Sequence, residues 1–322
     1  MKVLPVLVVA SFDEAHHAHA AQRCRALERL GCRVEVFDLL KRPGLLGRLA
    51  GNDLRSRLLR SVEAANARLV LVIGAPELEP DLVTTLRKET RLPWANWFPD
   101  DLRTAYDACR RAAAYDHVFV TGSDVAARME TELGRPVEVV PFAADPSVYR
   151  PLRSKDQYRA NVVFAGSATP RRELLLTGLT GFGLALWGPG WRRTTLKDYC
   201  RGEVASTDDY VRAYGGASVA VNIHHTAGGN GADEGTVNQR LFEIAAIGVP
   251  QVVDARADLP AMFQTGEQVM VFQDAAELRS LVEAALHDLP SMEPIAAAAR
   301  REALARHTYM HRLTRIVDSV TR

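Results

Sequence analysis

Apolar residues in this chain fall into short runs separated by segments of helical period, and the alternation starts at once. Residues 3–10 are almost continuously apolar, the mark of a parallel strand buried on both faces. Residues 14–30 then repeat apolar positions at helical spacing and close at Gly31, before a strand over residues 33–37. The same pattern predicts helices over 54–67, 79–90, 105–114 and 123–133. Strands are predicted over 69–73, 94–98, 117–121 and 137–140. Residues 141–155, with three prolines and no apolar period, interrupt the rhythm. It resumes with strands over 161–165, 184–187, 217–223, 251–253 and 269–272, and a helix opens near Asn238 and stops at Gly248. One long Ala- and Arg-rich helix is predicted over 293–320. Strands alternating with helices imply parallel sheets covered on both faces.

The expected organisation is therefore α/β, with two doubly wound domains. Residues 1–145 form the first, 146–158 a linker, 159–292 the second, and 293–322 a terminal helix that could cross back to the first. Ligands of such sheets bind outside the carboxyl ends of the strands, so two of them facing one another would make a cleft there.

With 47% hydrophobic and 25% charged residues, the composition is that of a globular protein rather than a disordered one. Forty basic and 39 acidic side chains nearly cancel, which gives no global electrostatic reason to expect nucleic acid or a membrane surface as partner. The four cysteines, Cys24, Cys32, Cys109 and Cys200, lack metal-ligand or redox spacing and suit a reducing, cytoplasmic setting. The first apolar run is too short to span a bilayer and carries no signal-peptide cleavage pattern. No GxGxxG follows the first strand, and Walker, GxSxG and HExxH motifs are absent, which takes support from nicotinamide, P-loop, serine-hydrolase and zincin readings.

Candidate chemistry concentrates in residues 234–254, EGTVNQRLFEIAAIGVPQVVD, which follow the glycine-rich loop of residues 228–231. A helix N-terminus after such a loop offers unpaired N–H groups and a positive dipole end to a phosphate. Glu243, one to two turns on, could hold a ribose diol; it could equally be a solvated helix residue. Gly166 and Ser167 end a strand ahead of Arg171 and Arg172, which are either phosphate ligands or solvated arginines of a tight turn. The segment from Leu186 to Trp191 offers Gly188 and Trp191 to a nucleobase, with core packing as the alternative. In the first half, Asp100 and Asp101 close a strand and could contact acceptor hydroxyls or cap the next helix. The run holding His16, His17 and His19 could bind a metal, polarise a substrate or simply start a helix, and His224 and His225 share that ambiguity. No metal is expected.

Taken together, the segments at 97–101 (WFPDD), 142–151 (FAADPSVYRP), 164–172 (FAGSATPRR), 238–254 and 266–278 resemble the CgeB-like glycosyltransferases, relatives of the retaining GT4-type enzymes of GT-B fold. The resemblance implies a C-terminal domain that holds a nucleotide sugar and an N-terminal domain that holds a hydroxyl acceptor (protein, glycan or small molecule). It implies no cofactor beyond the co-substrate, for which a UDP sugar is the default. It assigns the donor ribose to Glu243, the amides of Thr236, Val237, Asn238 and Gln239 to sugar hydroxyls and diphosphate, and the phosphates to Arg171 or Arg172 with help from Arg240. Asp100 would orient the acceptor, and a base, if one is needed, would come from the loop that holds His16. Retaining GT-B enzymes place a second glutamate eight positions before the ribose-binding one; here that position is Gly235, with Glu234 one residue off. A GT-B sugar-nucleotide epimerase and a non-catalytic sugar or nucleotide sensor are the alternatives.

Overall fold

A computed structural model describes residues 3–12, 19–41, 53–98, 105–204, 206–225 and 235–322. The chain divides into two units, Met1–Pro141 with Tyr309–Arg322, and Phe142–Thr308.

In the first unit the predicted apolar runs become strands β1 (Pro5–Ala10), β2 (Arg33–Asp38), β3 (Leu69–Ile73), β4 (Trp94–Phe98), β5 (His117–Val120) and β6 (Glu138–Val139). They form one sheet in the order β2-β1-β3-β4-β5-β6, and every pairing is parallel. All residues of β1, β3 and β4 are buried, which is why β1 and β3 read as unbroken apolar runs and β4 is interrupted only by the buried Asn96. Helices α1 (His19–Arg29), α2 (Leu54–Ala65), α3 (Pro80–Thr90), α4 (Ala105–Ala112) and α5 (Ser123–Leu133) make the connections. Asp53 starts α2 by accepting the Ser56 N–H at 2.7 Å, satisfying one of the four orphan donors of that end.

The second unit contains β7 (Ala160–Ala165), α6 (Pro170–Thr177), β8 (Leu184–Trp187), β9 (Cys200–Gly202), α7 (Thr207–Gly215), β10 (Ala217–Asn222), α8 (Gln239–Ile247), β11 (Gln251–Asp254), β12 (Met270–Phe272), α9 (Ala275–His287) and α10 (Leu289–Arg306). Its sheet runs β12-β11-β10-β7-β8-β9, again wholly parallel. The chain therefore builds outward from β7 in one direction and, after β9, returns to build outward from β10 in the other. Alternate residues of β7 feed separate cores, Val163 and Ala165 on one face, Val162 and Phe164 on the other.

Two expectations are corrected. The stretch predicted as a linker, 146–158, is packed: Tyr149 and Tyr158 are buried in the core of the second unit. Apart from a single 3-10 turn at Asp156–Tyr158 it has no helix or strand, while its aromatic side chains still gain from burial. The single terminal helix is two, α10 and α11 (Tyr309–Thr321), divided at His307 and Thr308. At the break the His307 carbonyl accepts the Ala144 N–H at 3.1 Å, Thr308 bridges Ala144, and the His307 ring packs on Phe242 and Phe263. Helix α11 belongs to the first unit, where Tyr309 meets Trp97 edge-on and the Arg23 guanidinium lies 4.5 Å from the Trp97 ring and 4.9 Å from Tyr309.

Candidate functional site

A doubly wound sheet offers its crevice where the strand order reverses, and in the second unit that point lies between β7 and β10. The two strands pair from Ala160 and Ala217 up to Val163 and Ala220, and then part. At the next rung the Ala165 N–H donates to the Tyr214 hydroxyl at 3.0 Å, and that hydroxyl donates to the Ala165 carbonyl at 3.2 Å. One phenol from α7 thus replaces a strand and holds the crevice open. Tyr214→Phe would leave both groups without a partner, and we expect it to lower unfolding stability by about 1–3 kcal/mol in urea titrations; a change near zero would show that the sheet closes over the gap.

The loop beyond β7 touches the loop beyond β8. Gly166 donates its N–H to the Trp187 carbonyl at 2.8 Å, and a Cβ on Gly188 would lie 2.5 Å from the Gly166 carbonyl oxygen. On the other side, a Cβ on Gly166 would sit 2.8 Å from Nη2 of Arg240. Trp191 is fully buried against Phe164 and donates its indole N–H to the Gly166 carbonyl at 2.8 Å, so it builds the loop and is closed to a base.

Four arginines meet here. Arg172 is 3% exposed, and its guanidinium is used up on backbone: Nε and Nη2 donate to the Ile223 carbonyl at 3.2 and 2.9 Å, and Nη1 donates to the Ser167 carbonyl at 2.9 Å. Burial, reinforced by the nearby Arg240 cation, pushes it down to about 9, so it stays charged at neutral pH. It ties the two loops together rather than offering itself to a phosphate. Arg171 is less buried and pairs with Asp254 at 3.0 Å. Arg240 reaches Oδ1 of Asn222 at 3.2 Å, while its buried Nε has no hydrogen-bond partner among the described residues. Arg256 pairs with Asp254 at 3.2 Å.

Asp254, at the end of β11, is the hub. Besides the two arginines it accepts the His224 N–H at 3.0 Å and engages His224 Nδ1 at 2.6 Å. The His224 Nε2 accepts the Asn238 N–H at 2.8 Å, so the proton of the neutral ring sits on Nδ1. Asn238 in turn caps α8, its Oδ1 accepting the Leu241 N–H at 3.1 Å, and exchanges amide hydrogen bonds with Asn222 at 2.8 and 3.1 Å. The Asn238 amide, expected to face a ligand, is therefore spent on His224.

Glu243 is 5% exposed, four residues into α8. Its Oε2 accepts the Tyr210 hydroxyl and its Oε1 accepts the Gln239 amide, both at 2.7 Å. Burial and then the Glu243 carboxylate hold the Tyr210 phenol well above its ordinary pKa, which keeps it a donor. A carboxylate oxygen accepts more than one hydrogen bond, so Glu243 retains acceptor capacity for a ligand. Thr236 is half-buried, and the Val237 side chain belongs to the core.

Burial lowers the His224 pKa against the pull of Asp254, and burial with Arg312 lowers that of His311. Groups held below their ordinary pKa bind fewer protons folded than unfolded, so the stability they contribute is present near pH 7 and falls as pH drops through about 6.5. Asp254 is held below the usual carboxylate range and loses its contribution only at lower pH still. We expect urea stability to decline from pH 7.5 to 5; a flat profile would contradict the neutral assignment.

The sequence brought Gly166, Ser167, Arg171, Arg172, Gly188, Asn238, Arg240 and Glu243 to the fore, and all of them belong to these strand-end loops, the first turn of α6, and α8 with its cap. It missed Asn222, Asp254, Tyr210 and Tyr214. A polar residue closing an apolar strand, as Asn222 and Asp254 do, was the available signal. Asp100, Asp101, His16, Glu234 and the glycine-rich loop of residues 228–231 lie outside the described residues. Among the described residues no cluster of three or more His, Cys, Asp or Glu could hold a metal, and no helix is long and apolar enough to cross a membrane.

Residues 171–318 match the family described as glycosyl transferase-like. No curated protein matches the chain. Among solved structures, HepE from Anabaena in complex with UDP and glucose is 16% identical, with 99% of each chain covered and a TM-score of 0.67. Sucrose-phosphate synthase from Thermosynechococcus elongatus is 12% identical over 99% of each chain, with a TM-score of 0.70. A glycosyltransferase from Rickettsia africae is 10% identical, covering 99% of this chain and 98% of that one, with a TM-score of 0.68. These likenesses establish the fold as GT-B, with two Rossmann-like units in one chain.

Proposed function

We propose that this chain is a glycosyltransferase that moves a sugar from a nucleoside diphosphate donor, UDP-linked, to a hydroxyl acceptor with its anomeric configuration retained. One observation carries the reading. At the strand-order reversal of the second unit, arginines and the start of α8 meet a buried carboxylate one turn into that helix. Among the described residues, four guanidinium groups stand against two carboxylates, a cationic balance of the kind a diphosphate requires.

In this reading Arg240 and Arg171 face the diphosphate, with the positive end of α8 behind it. Glu243, oriented by Tyr210 and Gln239, accepts the ribose hydroxyls. Thr236, Gln239 and the Gly166–Ser167 backbone lie toward the sugar and phosphates. The base is assigned to the backbone around Gly188. As the bond from the anomeric carbon to the phosphate oxygen breaks, its electron pair goes to the diphosphate. The acceptor oxygen bonds the anomeric carbon on the same face, and its proton passes to the leaving phosphate oxygen. Fixed N–H and guanidinium donors aimed at the developing charge supply the stabilisation. Asp100 and His16 are assigned to the acceptor side on sequence grounds.

The choice of UDP rests on the UDP, and UDP with glucose, carried by the Anabaena protein of like fold. The test is a thermal-shift screen with UDP and UDP sugars. A ligand at 100 times its dissociation constant adds about 2.7 kcal/mol of stability. If no nucleotide shifts the transition, the reading fails. If a UDP sugar binds and is converted to its isomer, the protein is an epimerase; if it binds and is never turned over with any hydroxyl acceptor, it is a sensor.

A further inference from the structure

We infer that His224, anchored by Asp254, is a positioning residue that sets the start of α8 for the nucleotide sugar. The inference rests on the reading that the donor binds there. His224 is buried just beyond β10, and Asp254 is 2% exposed at the end of the neighbouring β11. Both ring nitrogens of the imidazole are used, one by Asp254 and one by Asn238. Asp254 holds the Nδ1 proton at 2.6 Å, which leaves Nε2 bare, and Nε2 accepts the Asn238 N–H at 2.8 Å.

That last bond decides where α8 begins. Asn238 is the N-cap; its backbone is fixed by His224, and its side chain by Leu241 and Asn222. Gln239, Arg240 and Glu243 follow from it within about one and a half turns, so a shift of the cap moves all three. Asp254 also holds Arg171 at 3.0 Å, and the same carboxylate thus places a cation from α6 and the cap of α8 together.

The arrangement works only with a neutral ring. A proton on Nε2 would point at the Asn238 N–H, setting donor against donor. Among the described residues, the charged groups facing His224 are Asp254 and Arg256 from β11 and the residues after it, Arg171 and Arg172 from α6, and Arg240 from α8. Four cations against one carboxylate oppose a further positive charge on the ring. Acid should therefore release the cap and weaken donor binding through a group that does not itself touch the donor.

The experiment is calorimetric titration with UDP-glucose from pH 7.5 to 5, on the full chain and on His224→Gln, His224→Ala and Asp254→Asn. UDP-glucose is used because its diphosphate is doubly esterified and lacks the terminal phosphate ionisation near pH 6. The side-chain oxygen of glutamine can replace Nε2 as acceptor and does not titrate. We expect wild-type affinity to fall by about ten-fold or more toward pH 5, and His224→Gln to bind near the wild-type level at pH 7.5 with most of that fall removed. His224→Ala and Asp254→Asn should bind about ten-fold or more weakly at pH 7.5. If His224→Ala does not fold, the His224→Gln profile decides alone. A wild-type protein that binds while His224→Gln keeps the same acid fall, or while His224→Ala binds as tightly, overturns this inference and leaves the donor site standing. A wild-type protein that binds no UDP-glucose overturns both.

Discussion

Gly188→Ala is expected to cost the second unit about 3 kcal/mol or more of folding stability, a large share of the roughly 5–15 kcal/mol a domain has. Two effects add. Gly188 holds φ at +122°, a region L side chains rarely adopt, and strain of that kind costs on the order of 1–3 kcal/mol. The new methyl group would also lie 2.5 Å from the Gly166 carbonyl oxygen, and backbone is the least yielding neighbour available. Gly166 has no room to retreat, because its carbonyl is held by Trp191 and its N–H by Trp187. Forced overpacking costs about 1–3 kcal/mol more. Gly181→Ala is the control: a Cβ there meets nothing within 4 Å, and the change should stay within about 0.5 kcal/mol. Urea titrations of both variants check the comparison; equal midpoints would show that the two loops do not approach as described.

Glu243→Ala is expected to weaken UDP-glucose binding by about 10- to 100-fold, the equivalent of roughly 1–3 kcal/mol. The effect has two sources. The carboxylate that accepts the ribose hydroxyls is gone, and the Tyr210 hydroxyl and Gln239 amide, each 2.7 Å from it, lose their acceptor. Glu243→Gln separates them. It keeps the volume, but only its carbonyl oxygen can still serve both donors, and one of them is left facing an amide group. Glu243→Gln should fall between wild type and Glu243→Ala in calorimetric titration. Unchanged affinity in both variants would remove Glu243 from the ribose.

Much of the fold was legible because parallel strands covered on both faces are written as unbroken apolar runs. The five residues of β3 and of β4 are entirely buried, and the pattern marks them to the residue. Features imposed by distant neighbours were not legible. The break at His307 comes from Ala144, more than 160 residues earlier in the chain, and the residues around it keep helical composition. Tyr149 and Tyr158 are buried in a stretch whose prolines read as a linker.

The site divides along the same line. The loop after β7, Glu243 and the cap at Asn238 were visible because a helix start after a polar loop is a local signal. The use of each arginine was not. Arg172 and Arg171 are adjacent in sequence, yet one is consumed by the carbonyls of Ile223 and Ser167 while the other pairs with Asp254 and stays partly exposed. Asp254 and His224 are 30 residues apart and meet only because β11 lies beside β10. Tyr214 matters because β7 and β10 part at Ala165, a fact of sheet geometry that no local pattern records.

Hydrogen exchange with and without UDP-glucose tests the central claim most directly, since it reports where the nucleotide sugar sits without presuming an acceptor. Slower exchange is predicted at residues 166–169 and 236–243, beside β7 and at the start of α8, with the buried amides of β4 unchanged. Binding with no protection at those two segments, or with protection confined to the first unit, would contradict the account.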